Sequence, residues 1–209
     1  MRDSPSFAVT DPDEVKRWIR ENPWVILVSN TSEGLVASHY PVILDEEHEG
    51  ISVLSHVGRP DERLHELGRH EVLLIVQGPH GYVSPGWYGD GPAVPTWNFI
   101  AAHLHGVPEL LSDEENHRVL DRLVDHFEDR MPDPRRMAAS ADSAEYALRI
   151  MKGTVGFRLT ATRFTAKAKL SQNKPAEVVD TVIDRLEHGD VFANPELARE
   201  MRRAHGLDR

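Results

Sequence analysis

The chain has 209 residues, no cysteine and a formal net charge of −10. That length suits one domain with room for a helical appendage, and the missing cysteines exclude a disulfide framework and thiolate metal sites. The acidic balance argues against a direct reader of DNA, whose surface must answer the phosphate backbone with positive charge.

Met1 to Asp13 lacks the basic-then-apolar order of a signal peptide. No apolar run nears the roughly 20 residues that a membrane helix needs. A cytoplasmic protein with no membrane partner is therefore expected. Thr10 is expected to cap a first helix, with Pro12 in its first turn and Val15, Trp18 and Ile19 on its apolar face. Asn22-Pro23 ends that helix. Strands follow at Trp24 to Ser29 and Leu35 to Leu44, joined by a hairpin turn at Thr31 to Gly34, and a third runs from Ile51 to Ser55. Pro60-Asp61 opens a short helix carrying Leu64 and Leu67.

Val72 to Val76 reads as a buried strand, Tyr82-Val83 as the start of another, and Ser84 to Pro95 as an ordered loop rich in Gly, Pro and aromatics. Trp97 to Leu111 reads as one long strand. Ser112 with Glu115 forms a capping-box signal for a helix whose apolar face is Leu120, Leu123, Val124 and Phe127. Met131 to Pro134 breaks it, Ser143 to Met151 is helical, and Gly153 to Leu170 alternates as the last long strand. Two helices close the chain, at Pro175 to Glu187 and at Pro195 to His205. The pattern predicts a mainly β fold with peripheral helices (α+β), an antiparallel sheet or small barrel without βαβ alternation. Residues 1–174 form its barrel domain. Residues 175–209 form a helical extension packed on the barrel or on a partner chain.

Chemistry-bearing residues gather in four places. Gln77 to Tyr88, followed by Val94 to Phe99, holds Trp87, Tyr88 and Trp97 among prolines and glycines, a flat-walled surface suited to a planar heterocycle or a subunit interface. Ser55, His56 and Arg59 lie between a strand and a helix start, where hydroxyl, imidazole, guanidinium and amides suit an anion. Ser38 and His39 alternate on one strand, so one faces inward. Ser171 to Lys174 offers amides and an ammonium, or else a capping turn. His103 and His105 share a strand face, but nothing has zinc-protease spacing and no metal site is expected. No dinucleotide fingerprint, phosphate loop or nucleophile elbow occurs.

In this order the segments resemble the PaiB family of FMN-binding negative transcriptional regulators. The resemblance rests on Gln77-Gly78-Pro79-His80 with Tyr82-Val83-Ser84-Pro85 and Trp87-Tyr88, on Val94 to Asn98 with a strand ending at Gly106, and on Ser171 to Lys174. Asn22-Pro23, Ser38 to Pro41 and Ser55-His56 add weaker matches. The resemblance implies a split β-barrel like that of the pyridoxamine-phosphate-oxidase-like flavoproteins, a homodimer, and FMN as cofactor. It places the phosphate at Ser55, His56 and Arg59, and the ring near Ser38 and His39. Trp97 and Asn98 would build the pocket, and Gln172 and Lys174 would add polar contacts. Asp61 stands where the family has an amide, and would repel a phosphate if it pointed inward. Lys174 replaces a common arginine and loses its fork. The implied role is an indirect regulator or a redox flavoprotein. Alternatives are a flavin-dependent oxidoreductase with a specific substrate, or a haem-binding or haem-degrading split barrel using His39, His80, His103 or His105. Direct DNA binding is not expected.

Overall fold

The computed structural model describes residues 1, 4–89, 91–189 and 191–207. Asp90, in the aromatic loop, and Asp190, Asp208 and Arg209, in the helical extension, lie outside the described residues. The strands are β1 (Ala8–Val9), β2 (Trp24–Thr31), β3 (Gly34–Pro41), β4 (Ile43–Leu44), β5 (Ser52–Gly58), β6 (Val72–Val83), β7 (Thr96–Gly106), β8 (Glu109–Leu110), β9 (Thr154–Thr160) and β10 (Arg163–Lys169). The helices are α1 (Pro12–Glu21), α2 (Arg59–Leu64), α3 (Asp113–Glu128), α4 (Ala141–Met151), α5 (Ala176–His188) and α6 (Pro195–Ala204). The strands form two antiparallel sheets. One holds β1, β2, β3, β6, β7 and β10, and the other runs β4-β5-β9-β8.

Three segments that read as single strands are each divided between the two sheets. β3 gives way to β4 at Val42, β7 to β8 at Val107-Pro108, and β9 to β10 at Ala161-Thr162. Strands that bend from one sheet into another make the corners of a barrel. The reverse error occurs at Gly78-Pro79. There β6 runs unbroken, since proline's fixed φ is compatible with extended chain.

The chain divides into two compact units. The larger comprises Asp11–Val76 and His103–Phe164. In it β2 pairs with β3 in the hairpin register Trp24↔Pro41 to Thr31↔Gly34, and with β6 at Ile26↔Ile75. Its core includes Trp18, Ile19, Leu27, Leu54, Leu74, Phe157 and Leu159. Asp11, not Thr10, caps α1, its carboxylate accepting the Asp13 amide at 2.9 Å. The Ser112–Glu115 capping box is present. The buried face of α3 is Asn116, Val119 and Leu123, rotated from the expected stripe, and Phe127 is exposed. A polar residue at the buried edge misled the pattern. The amide of Asn116 donates to Thr154 Oγ1 at 3.0 Å, which makes it part of the packing.

The smaller unit comprises Met1–Thr10, Gln77–Ala102 and Thr165–Arg209. Here β1 pairs with β10. Val179, Val182, Ile183 and Leu186 of α5 are buried, as are Leu197, Ala198 and Met201 of α6. Gly81 lies so near α6 that a Cβ there would sit 2.9 Å from Leu197 Cδ2, so the Gly in the aromatic motif serves a close helix–strand approach. Among the described residues no helix is long and apolar enough to cross a membrane.

Candidate functional site

In the smaller unit the aromatic loop folds through a 3-10 turn at Pro85–Trp87, capped by Ser84. Trp97 is 55% exposed. Its ring lies 6.4 Å from that of His80, nearly parallel, and 6.2 Å from that of Tyr82, edge-on. His80 is held in turn, its Nδ1 3.0 Å from Gly78 O and its carbonyl accepting Asn194 Nδ2 at 3.0 Å. The result is a fixed, solvent-facing aromatic wall.

Asn98, the next residue on β7, is fully buried. Its Nδ2 donates to Ser171 Oγ at 2.9 Å, while its Oδ1 has no hydrogen-bond partner among the described residues. Ser171 has φ +65°, the left-handed region that a non-glycine residue adopts rarely and at a cost. That turn brings the Lys174 amide onto Ser171 O at 2.9 Å and sets the Lys174 ammonium 4.6 Å above the centre of the Tyr88 ring. Gln172 is spent within the turn, accepting Leu170 N at 2.8 Å and donating to Ala168 O at 2.7 Å.

Lys167 and Lys169, on β10, complete this region. Lys167 Nζ donates to Ser4 Oγ at 3.1 Å, and Lys169 Nζ donates to Thr96 Oγ1. Burial, then the like charges of Lys167 and Lys174, hold Lys169 below the usual lysine range. Sequence reading passed over both lysines. The Lys-x-Lys spacing just before the Ser171 turn was the available signal.

The larger unit holds the other expected residues. Ser38 faces inward and His39 outward. Ser38 Oγ lies 2.9 Å from His65 Nε2, and Ser29 Oγ lies 2.8 Å from His65 Nδ1. The Tyr40 hydroxyl donates to Asp61 Oδ2 at 2.9 Å. Burial, with the Asp61 carboxylate as acceptor, pushes Tyr40 up to about 12. Burial lowers His65 against the pull of Asp61. Asp61 is thus tied to Tyr40. His65 was not singled out from the sequence, where a lone histidine after a helix carries no signal. His39 stacks on the exposed Trp24, ring centres 6.3 Å apart.

The turn after β5 is largely self-satisfied. Ser55 is fully buried and donates to Pro41 O at 2.6 Å. The Arg59 amide donates to Gly153 O, and its guanidinium to Lys152 O and Asp113. His56 lines an apolar cavity with Leu120, Tyr146, Ile150 and Met151, and burial lowers its pKa. Of the donors that the sequence assigned to a phosphate, those of Ser55 and Arg59 are engaged within the protein, while His56 Nδ1 is buried without a hydrogen-bond partner among the described residues.

A family model described as a putative FMN-binding domain matches residues 1–163. Protease synthase and sporulation protein PAI 2 of Bacillus subtilis (strain 168), which is PaiB, is 29% identical over 187 residues, covering 87% of each chain. Among solved structures, the FAD and heme binding protein from Mycobacterium smegmatis superposes with a TM-score of 0.58 at 16% identity, over 83% of this chain and 78% of that one. The flavocytochrome Anf3 from Azotobacter vinelandii gives 0.56 at 17%, over 77% and 68%. At such identities the structural likeness speaks for the fold, a split barrel. With two sheets joined by bent strands and the family model covering most of its length, the chain belongs to the PaiB-type family of putative FMN-binding domains.

Proposed function

We propose that the chain binds FMN and works as a homodimeric flavoprotein whose effect on transcription is indirect. The observation that carries this reading is the pairing of a rigid, exposed aromatic wall with the buried Asn98 Oδ1, unpaired among the described residues, in one unit of an FMN-binding family member. The donor set fits a planar guest. Trp97, with His80 and Tyr82 behind it, offers a face for an isoalloxazine ring. Asn98 Oδ1 is buried without a hydrogen-bond partner among the described residues, as an orphan beside a ligand site would be. FMN supplies the ability to take up two electrons, as a hydride or singly. The chain's part is to hold the ring, fix its polar edge and keep water off it.

For the dimer, the support is an unpartnered sheet face. The registers put Trp24, Ile26 and Val28 of β2 on the same side as Leu35, Ala37 and His39 of β3 and Leu73 and Ile75 of β6. Trp24 is 61% and Leu35 79% exposed. An apolar face of this kind marks an interaction surface, and a second copy is the occupant proposed. The net charge of −10 favours an indirect route to transcription over DNA contact.

FMN titration followed by flavin fluorescence tests the reading. Trp97→Ala should weaken binding about fivefold or more, the worth of one aromatic contact. Ile26→Glu should leave monomers in sedimentation. Unchanged FMN affinity in the first variant would remove the aromatic wall from the account.

A further inference from the structure

The protein carries a surplus of acid, yet one small region gathers three ammonium groups with no carboxylate paired to them among the described residues. Lys167 and Lys169 are two residues apart on β10 and so project to the same side of the strand. The Ser171 turn folds Lys174 back over Tyr88. Among the described residues none of the three forms an ion pair. Among the described residues Lys167 reaches the Ser4 hydroxyl and lies 5.9 Å from the centre of the Phe7 ring, Lys169 reaches the Thr96 hydroxyl, and Lys174 lies over the Tyr88 ring, all of them neutral partners. The three are close enough for Lys167 and Lys174 each to lower the proton affinity of the part-buried Lys169. Like charges held together without a counter-ion oppose folding, so such a cluster calls for an anion that is absent from the bare chain.

We propose that Lys167, Lys169 and Lys174, with the Thr96 hydroxyl, form a subsite for a phosphate dianion, occupied by the phosphomonoester of FMN. The occupant rests on the flavin reading above; the anion site rests on the lysines alone. Lys167 and Lys169 supply donors from the strand, Lys174 supplies one from the turn, and the strained Ser171 backbone fixes the distance between the two sources. This moves the phosphate from the turn after β5, where Arg59 is engaged with Lys152 O, Gly153 O and Asp113, to the end of β10. Lysine suits the task as a point charge on phosphate, with no fork required.

The test compares FMN with riboflavin, which lacks the phosphate, on the full-length chain. Wild type should bind FMN at least about tenfold more tightly than riboflavin, the worth of one or more charge-assisted hydrogen bonds. Lys169→Met and Lys174→Met should erase most of that difference and leave riboflavin affinity unchanged. Lys169→Arg, which keeps the charge, should retain most of it. Lys174 is exposed, so its variant reports even if Lys169→Met folds poorly. FMN affinity equal to wild type in both methionine variants would overturn the subsite while leaving the flavin reading standing. If neither flavin binds wild type, inorganic phosphate decides. Thermal stabilisation by phosphate that disappears in Lys174→Met upholds the anion site. Its absence in wild type overturns it.

Discussion

Replacing Arg158 by Met should destabilise the protein by about 3 kcal/mol at neutral pH, near the low end for breaking a buried ion pair. Asp45 follows β4, and its carboxylate is only 2% exposed. Arg158 Nε meets it at 2.8 Å, while Nη1 of the same guanidinium reaches Glu109 at 2.9 Å. Glu109 stands opposite Arg158 in the register, so one guanidinium on β9 ties the end of β4, across β5, to β8. With Arg158 gone, His48 at 3.0 Å and Arg122 at 3.8 Å remain beside Asp45, which is why the loss should not reach the upper end of the range. For a chain of this size the melting temperature should fall by about 6–12 °C.

The same pair has a pH signature. Burial alone would raise the Asp45 carboxyl. The Arg158 hydrogen bond and the charges of His48, Arg158 and Arg122 override it and hold the group below its usual value. A carboxyl depressed in the folded state contributes its full stability above the ordinary carboxylate pKa of about 4 and loses it as pH falls through the folded value. The gap between wild type and Arg158→Met should therefore be widest at neutral pH and narrow in acid. Urea melts at neutral pH and in acid measure this. A gap independent of pH would mean that the guanidinium acts by packing rather than by charge.

Gly106→Ala should cost about as much, roughly 3 kcal/mol for overpacking against rigid backbone. Gly106 ends β7 where the chain turns toward β8. A Cβ there would lie 2.5 Å from Thr160 O and 3.0 Å from Leu159 Cδ1. The carbonyl cannot withdraw cheaply, because the adjoining turn is pinned, with Thr162 N on His105 O at 2.8 Å and Ala161 N on Ile51 O at 2.8 Å. Gly86→Ala, whose Cβ would meet Ser84 Oγ at an ordinary 3.5 Å, is the matched control and should be close to neutral. Equal melting temperatures for the two variants would show that the barrel corner yields.

The sequence disclosed most where a local rule was strong. The Ser112 capping box, the Thr31–Gly34 hairpin and the apolar face of α1 need only neighbours in the chain, and all three are present. It was mute where the decision is tertiary. Val42, Val107-Pro108 and Ala161-Thr162 are corners only because a second sheet is there to receive the strand. Asn116 and Ser29 look like solvated polar residues until Thr154 and His65 are placed beside them. At the candidate site the aromatic wall was legible from composition. The direction of Ser38 was not, since alternation shows that one of Ser38 and His39 points inward without choosing between them. Nor could chain order alone reveal that Ser55 and Arg59 donate to local carbonyls while Lys167 and Lys169 have no partner charge among the described residues.

The most direct measurement is gel filtration of the purified chain after incubation with excess FMN, followed by an absorbance spectrum and mass determination of the peak. The account predicts flavin absorbance at one FMN per chain, in a particle of two chains. A colourless peak, a haem band in place of the flavin spectrum, or a single chain carrying no flavin would contradict it.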